Sequence, residues 1–369
     1  QPRRSTGPGR VTAPPAPSAP PASRHPASGP AVPSPGRRPG AVRLGVVLGM
    51  GAILAFVVLA SLSVGSNPIP LGRAWTLLLH PDGSQASVVL HDLRVPRTVV
   101  GLVVGAALGV AGSLMQSLTR NPLADPGFLG VNAGAGLAVV LAVAVAGLTG
   151  VWFYLWFAFA GAAAASVAVY ALGVAGRQSA TPVRLALAGM AISAALSALT
   201  QTVILADKTA FNEFRFWVVG SLEGRGWSVL AATGPFIAIG GLLALLLGPA
   251  LNALALGDET GRALGVRVTR TRALTMIAVT LLCGAATAAV GPLTFVGLAV
   301  PLTARALVGT DQRWIAVACL VLGPAWLLAA DVLARVVVAP EEVQVGIVSA
   351  LAGAPFFVAL VRRHKVAQL

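Results

Sequence analysis

The stretch LGVVLGMGAILAFVVLASLSV, residues 44–64, decides the fold class. It carries no ionisable side chain, and roughly 20 apolar residues at 1.5 Å rise each suffice to cross a bilayer. Nine further apolar stretches follow, at 98–118, 128–148, 151–175, 185–206, 227–251, 273–290, 292–308, 314–334 and 343–361. They are apolar all round, without the single stripe of a helix on a soluble core. The pattern predicts an all-α, polytopic membrane protein of about ten transmembrane helices. Composition agrees: 56% of residues are hydrophobic and 10% charged, with a mean hydropathy of +0.83. A soluble domain carries about 25% charged residues.

The spans hold almost nothing that titrates. Asp331 is the one carboxylate inside them, close to the end of its stretch. Intramembrane acids mark proton and ion pathways, so their scarcity argues against an ion-coupled secondary transporter. No GxxxxGK[ST] loop is present to cradle a nucleotide, and no HExxH, GxSxG or paired-cysteine zinc spacing occurs. His25, His80, His91 and His364 fall outside the spans, while Cys283 and Cys319 read as small packing residues. The expectation is a chain without catalytic residues, metal site or cofactor of its own, driven by energy supplied elsewhere.

The net charge of +14 finds its account in sidedness. With a cytoplasmic N-terminus and ten alternating spans, 19 basic and four acidic residues face inward, against seven basic and eight acidic outward. The positive-inside rule selects this orientation and places both termini in the cytoplasm. The partner of the basic surface is then the lipid bilayer; no aromatic–basic interleaving suggests nucleic acid.

Residues 1–43, rich in Pro, Ala, Ser and Arg and devoid of acids, read as a disordered cytoplasmic tail, and residues 44–369 as the membrane domain. Gly101, Gly105 and Gly109 give the second span a flat face for close helix packing. The eighth span is short and holds Pro301, which predicts a kink or shielding from lipid. The outer segment 207–226 is expected to hold a short helix. In the inner segment 252–272, Gly257 and Gly265 bracket another, with Asp258 and Glu259 at its start and Arg262 near its end, as the helix dipole favours. Leu256, Ala263 and Leu264 share one stripe. Such a helix either lies on lipid or enters a groove of another protein.

Several motifs occur in a shared order: Leu93-Arg94-Val95-Pro96-Arg97-Thr98, Arg120-Asn121-Pro122-Leu123-Ala124-Asp125-Pro126-Gly127, Leu256-Gly257-Asp258-Glu259, Leu264-Gly265-Val266, Phe295-Val296-Gly297-Leu298, Ala330-Asp331-Val332-Leu333-Ala334-Arg335 and Gly353-Ala354-Pro355-Phe356-Phe357. From about Leu93 onward the chain resembles the FecCD-type permeases, membrane subunits of ABC importers for ferric siderophores, haem and cobalamin. The resemblance implies a type II importer permease that pairs with an identical or homologous second permease. It also implies two ABC ATPase subunits on the inner face, where ATP is hydrolysed, and a substrate-binding protein on the outer face. Ferric siderophore is the foremost expected cargo, with haem or cobalamin as alternatives and a secondary transporter or a non-transporting scaffold as rival classes.

The resemblance further implies that Leu256, Gly257, Asp258, Glu259, Arg262, Leu264 and Gly265 form the ATPase-coupling segment. Arg94, Arg97 and Arg335 would meet acidic residues of the binding protein. As alternatives, Arg94 and Arg97 would anchor the membrane interface and Arg335 would pair with Asp331 one helical turn away. Asn121 and Leu123 would narrow the channel at an inner gate, or simply form a tight Asn-Pro turn. Two departures stand out: Pro182-Val183 lies where small polar residues are usual near the gate, and Leu302 where the family has His.

Overall fold

The computed structural model describes residues 40–65, 67–174 and 182–363, and every regular element among them is helical. In chain order these are α1 (Gly40–Ser63), α2 (Leu71–Leu79), α3 (Gln85–Val88), α4 (Val95–Thr119), α5 (Val131–Ala146), α6 (Val151–Val174), α7 (Pro182–Ala206), α8 (Lys208–Trp217), α9 (Trp227–Ala255), α10 (Asp258–Ala263), α11 (Val268–Val290), α12 (Val296–Val308), α13 (Gln312–Val336) and α14 (Val345–Arg363). A π-helical segment, Val89–Arg94, joins α3 to α4, and a 3-10 turn, Pro126–Leu129, precedes α5.

Seven helices are long and apolar enough to cross a membrane, and three shorter apolar ones (Val131–Ala146, Val296–Val308, Val345–Ala359) accompany them. These ten match the expected spans, and the chain is a multi-pass membrane protein. The first helix starts at Gly40, inside the expected tail; residues 1–39 of that tail lie outside the described residues. The eighth begins only at Val296. Pro292 has no N–H to give a helix, and Phe295 takes a left-handed φ of +67° at the N-cap. The irregular backbone at 291–295 is met by its neighbours or lines a cavity: the Ser349 hydroxyl of α14 donates to the Thr294 carbonyl at 3.3 Å, Ala299 N–H donates to the Phe295 carbonyl, and Pro292 and Thr294 border a cavity. Non-helical backbone is tolerated at membrane depth only where it is buried in protein or lines a cavity.

Helices α4, α11 and α13 form the interior, and α1, α7 and α9 the periphery. The flat glycine face of α4 is used as expected. A Cβ on Gly105 would fall 2.6 Å from the Gly323 carbonyl oxygen of α13, and one on Gly112 only 1.9 Å from the Gly297 carbonyl oxygen of α12. Only glycine lets these backbones approach so closely, and lipid gives helix association no hydrophobic drive beyond such packing. Cys283 and Cys319 are buried and unpaired, in line with a packing role.

Candidate coupling face and outer charge network

The end of the bundle that the charge pattern assigns to the inner side is organised around α10. Gly257, at φ +113°, turns the chain out of α9, and Gly265, at φ +83°, ends α10. The exit is a Schellman motif: Gly265 N–H donates to the Arg262 carbonyl and Val266 N–H to the Gly261 carbonyl. The two glycines thus fix a short rigid helix flanked by two bare leucines, Leu256 at 68% and Leu264 at 61% exposure. Glu259 sits in its first turn and Arg262 in its last.

Asp258 clamps this helix to the membrane domain. Arg272 of α11 donates to both its oxygens, at 3.0 and 2.8 Å. Arg120 pairs with the same carboxylate and also donates to the Leu254 carbonyl at the end of α9, at 2.8 Å. Arg120 itself sits in the left-handed region (φ +50°) as the C-cap of α4. The turn that follows holds both predicted gate residues. The Asn121 side chain accepts from Leu123 N–H at 2.9 Å, while the Leu123 side chain stays exposed. The predicted gate turn and coupling helix, far apart in sequence, are therefore joined through Arg120 and Asp258. Arg120 was not among the expected coupling residues. Its signal in sequence was only its place beside Asn121.

Further along the turn, Asp125 caps the 3-10 segment by accepting from Gly127 N–H at 2.8 Å. Burial raises its carboxyl above the ordinary 3.8, opposed in part by that hydrogen bond.

At the opposite end, expected to be the outer one, the three predicted docking arginines turn into the protein. Arg94 is buried and donates to the Leu62 and Ser63 carbonyls at 2.8 and 2.9 Å, and to that of Asn67. It closes the exposed carbonyls at the end of α1. Arg335 is buried, contacts Asp331 at 2.9 Å and donates to the Ser61 and Val64 carbonyls. Arg97 bridges Asp331 and Glu342, each at 2.7 Å. The alternative pairing of Arg335 with Asp331 is present, and the Arg94 guanidinium is taken up by backbone carbonyls. Asp331, with 0% of its surface exposed, gathers two guanidinium groups. Sequence spacing could reveal the Asp331–Arg335 pair but not Arg97 or Glu342, which arrive from other elements.

A cavity of about 480 Å³ lies between α5, α7, α8 and the 292–294 segment. Asn132, Ser193, Ser197, Thr200, Gln201 and Trp217 are among its lining residues. Sequence reading missed it, although Ser193, Ser197, Thr200 and Gln201 recur at helical spacing within an otherwise apolar span. The outer helix expected in 207–226 is α8, started by Asp207, whose side chain accepts from Ala210 N–H.

Residues 53–363 match the FecCD transport family. The chain belongs to that family. This FecCD-family chain is 44% identical over 317 residues to the ferric enterobactin transport system permease protein FepD of Escherichia coli (strain K12), covering 86% of this chain and 95% of the relative. It is 37% identical over 311 residues to the probable siderophore transport system permease protein YfiZ of Bacillus subtilis (strain 168), covering 84% and 93%. It is 35% identical over 321 residues to the hemin transport system permease protein HmuU of Yersinia pestis, covering 85% and 94%. A solved structure of a metal-chelate type ABC transporter in an inward-facing conformation superposes with a TM-score of 0.77 at 25% identity, covering 87% of this chain and 99% of that one.

Proposed function

We propose that this chain is the membrane-spanning permease of an ATP-driven importer for a ferric siderophore, acting inward across the cytoplasmic membrane with both termini in the cytoplasm. The observation that carries the reading is the rigid α10 segment, with Leu256 and Leu264 exposed on either side and Asp258 tied to the turn at Asn121. A surface helix with bare apolar ends suits insertion into a groove of an ATPase subunit. Two such subunits, one per permease, would hydrolyse the ATP. A displacement of α10 would pull on Arg120 and so on the turn that carries Asn121 and Leu123.

The second permease, identical or homologous, would cover α7 and α14, which leave Leu187, Met190, Leu199, Leu205 and Leu351 bare. The polar face of α7 beside the 480 Å³ cavity would then border the cargo route. Few charged groups line it, which suits release of a large chelate already selected upstream. On the outer face a binding protein would dock through carboxylates. Arg97 would take this part, and its pairing with Glu342 supports the reading, since a docking carboxylate would compete with Glu342 for its fork. Arg94 and Arg335 would shape the rim from within.

Uptake into proteoliposomes holding the permease, its ATPase and a binding protein tests the reading, with a panel of ferric siderophores, haem and cobalamin as cargo. Accumulation of ferric siderophore that requires ATP hydrolysis is expected. Accumulation by the permease alone, without any ATPase, overturns it. In the same system Leu264→Asp is expected to abolish import, and unchanged import with unchanged ATP hydrolysis refutes the coupling role of α10.

A further inference from the structure

Helix α2 has three faces where a helix on a soluble surface has two. At about 100° per residue, Leu71, Trp75 and Leu79 fall on one strip that runs from its first turn to its last. They are 56%, 60% and 58% exposed. Ala74 and Leu77, on the next strip, are buried and pack with Ile69 and Leu90 in a small core beside Leu62 of α1. Gly72, Arg73 and Thr76 occupy the third strip and are also exposed. One side therefore meets protein, and the outward side divides into an apolar half and a polar half. A helix facing water alone would be polar over its whole outward side, and a continuous bare apolar strip marks a contact surface.

Position decides what meets the apolar half. Of the seven long spans α1 is the least covered by protein: only 11% of its apolar window is buried, and Leu48, Phe56 and Leu59 are bare along it. Its 24 residues extend about 36 Å at 1.5 Å rise, against a hydrocarbon core of about 30 Å, so its end at Ser63 reaches the headgroup layer. The chain then folds back on that end, with Ile69 N–H donating to the Ser63 carbonyl at 2.9 Å, and α2 begins at Leu71. The apolar strip of α2 is thus held at the level where the lipid-facing flank of α1 ends. Tryptophan favours that level, with its ring toward lipid and its N–H toward water. Because each strip persists over the whole helix, α2 lies along the boundary between lipid and water instead of crossing it.

We propose that α2 is a lipid anchor, with Leu71, Trp75 and Leu79 inserted into the bilayer leaflet at this end of the bundle and Arg73 and Thr76 in water. The anchor holds more than itself. His91 Nε2 donates to the Leu77 carbonyl at 3.0 Å, and Arg94 donates to the carbonyl of Asn67, just before α2. Both side chains belong to the π-helical segment that leads into α4. The seat of α2 in lipid therefore sets the height of the segment that carries Arg94.

The test uses the full chain in phosphatidylcholine vesicles, with a nitroxide attached to one introduced cysteine at a time: Leu71→Cys, Arg73→Cys, Trp75→Cys, Thr76→Cys or Leu79→Cys. Cys283 and Cys319 are buried and out of reach of the label. Phe56→Cys, on the bare flank of α1, supplies the lipid reference. Collision rates are read with oxygen, which concentrates in lipid, and with a water-soluble nickel chelate. At 71, 75 and 79 the ratio of oxygen to nickel access should approach that at 56 and exceed that at 73 and 76 several-fold. Nickel access at 71, 75 and 79 equal to that at 73 and 76 overturns the proposal and leaves the strip to a soluble partner. Motionally restricted labels closed to both reagents overturn it in favour of a second copy of the chain. Should the labelled chains not fold, wild type is compared with Trp75→Phe in vesicles of brominated phosphatidylcholine. The fluorescence that Trp75 contributes should be quenched there, and an unquenched contribution refutes the anchor.

Discussion

Arg97 and Asp331 stand 234 positions apart in the chain, and their side chains meet at 2.7 Å inside the outer end of the bundle. Asp331 also takes Arg335, so a single buried carboxylate joins α4 to α13, and through Arg335 to the carbonyls that end α1. Removing one partner from a buried charge pair costs about 3–5 kcal/mol, because the remaining charge is left uncompensated. Asp331→Asn should therefore lower the midpoint of thermal unfolding sharply in detergent. A variant as stable as wild type would mean that water or Glu342 neutralises both arginines.

The glycine contacts make a paired prediction. Gly112→Ala places a methyl 1.9 Å from the Gly297 carbonyl oxygen, a backbone atom that cannot swing aside. Overpacking of this kind costs about 1–3 kcal/mol, or more where backbones must part. Gly49 of α1 faces open space, and a methyl added there meets nothing within 4 Å. Alanine in a helix interior is favoured over glycine by about 0.5–1 kcal/mol. Gly49→Ala should be neutral or stabilising. Unfolding of the two variants side by side separates helix propensity from packing.

At the inner face, Asp258→Asn keeps the shape of the side chain and removes its charge. Arg120 is partly exposed but Arg272, which holds both oxygens, is buried, so the stability loss should exceed that of a surface pair and reach about 1–3 kcal/mol. Import in proteoliposomes is expected to fall several-fold while the assembled complex still hydrolyses ATP. Equal loss of both activities would point to failed assembly, and no loss of either would remove the clamp from the mechanism.

Asp125 predicts a pH dependence of stability. Its folded carboxyl sits above the ordinary 3.8 because burial penalises the anion. The folded chain then binds more protons than the unfolded chain, and the slope of stability with pH is negative in that window. This group's contribution is greatest below 3.8 and is lost as pH rises through the raised folded value. Asp125→Asn retains an acceptor for Gly127 N–H but cannot ionise, so its unfolding midpoint should decline less with pH above 3.8 than that of wild type. Parallel curves for the two proteins would show that Asp125 ionises without penalty.

The spans at 44–64 and 98–118 were legible because an all-apolar run of that length has few other solutions in water or lipid. The bracketed helix at 258–263 was legible too, since Gly257, Asp258 and Gly265 act on neighbours a few residues away. The start of α12 was not: nothing local in 292–295 announces that the Thr294 carbonyl is met by the Ser349 hydroxyl of α14.

Local chemistry and hydrophobicity thus determined, from the sequence alone, that the chain is a bundle of membrane helices with a short capped helix on its basic side. Only the tertiary structure decided where the charges go. Hydrophobic burial and helix capping act over a turn or two and leave their mark in consecutive residues. The partners of an arginine are whatever the packing of distant helices brings within hydrogen-bonding reach, about 3 Å. That is why Arg97 found Asp331 and Glu342, and Arg120 found Asp258.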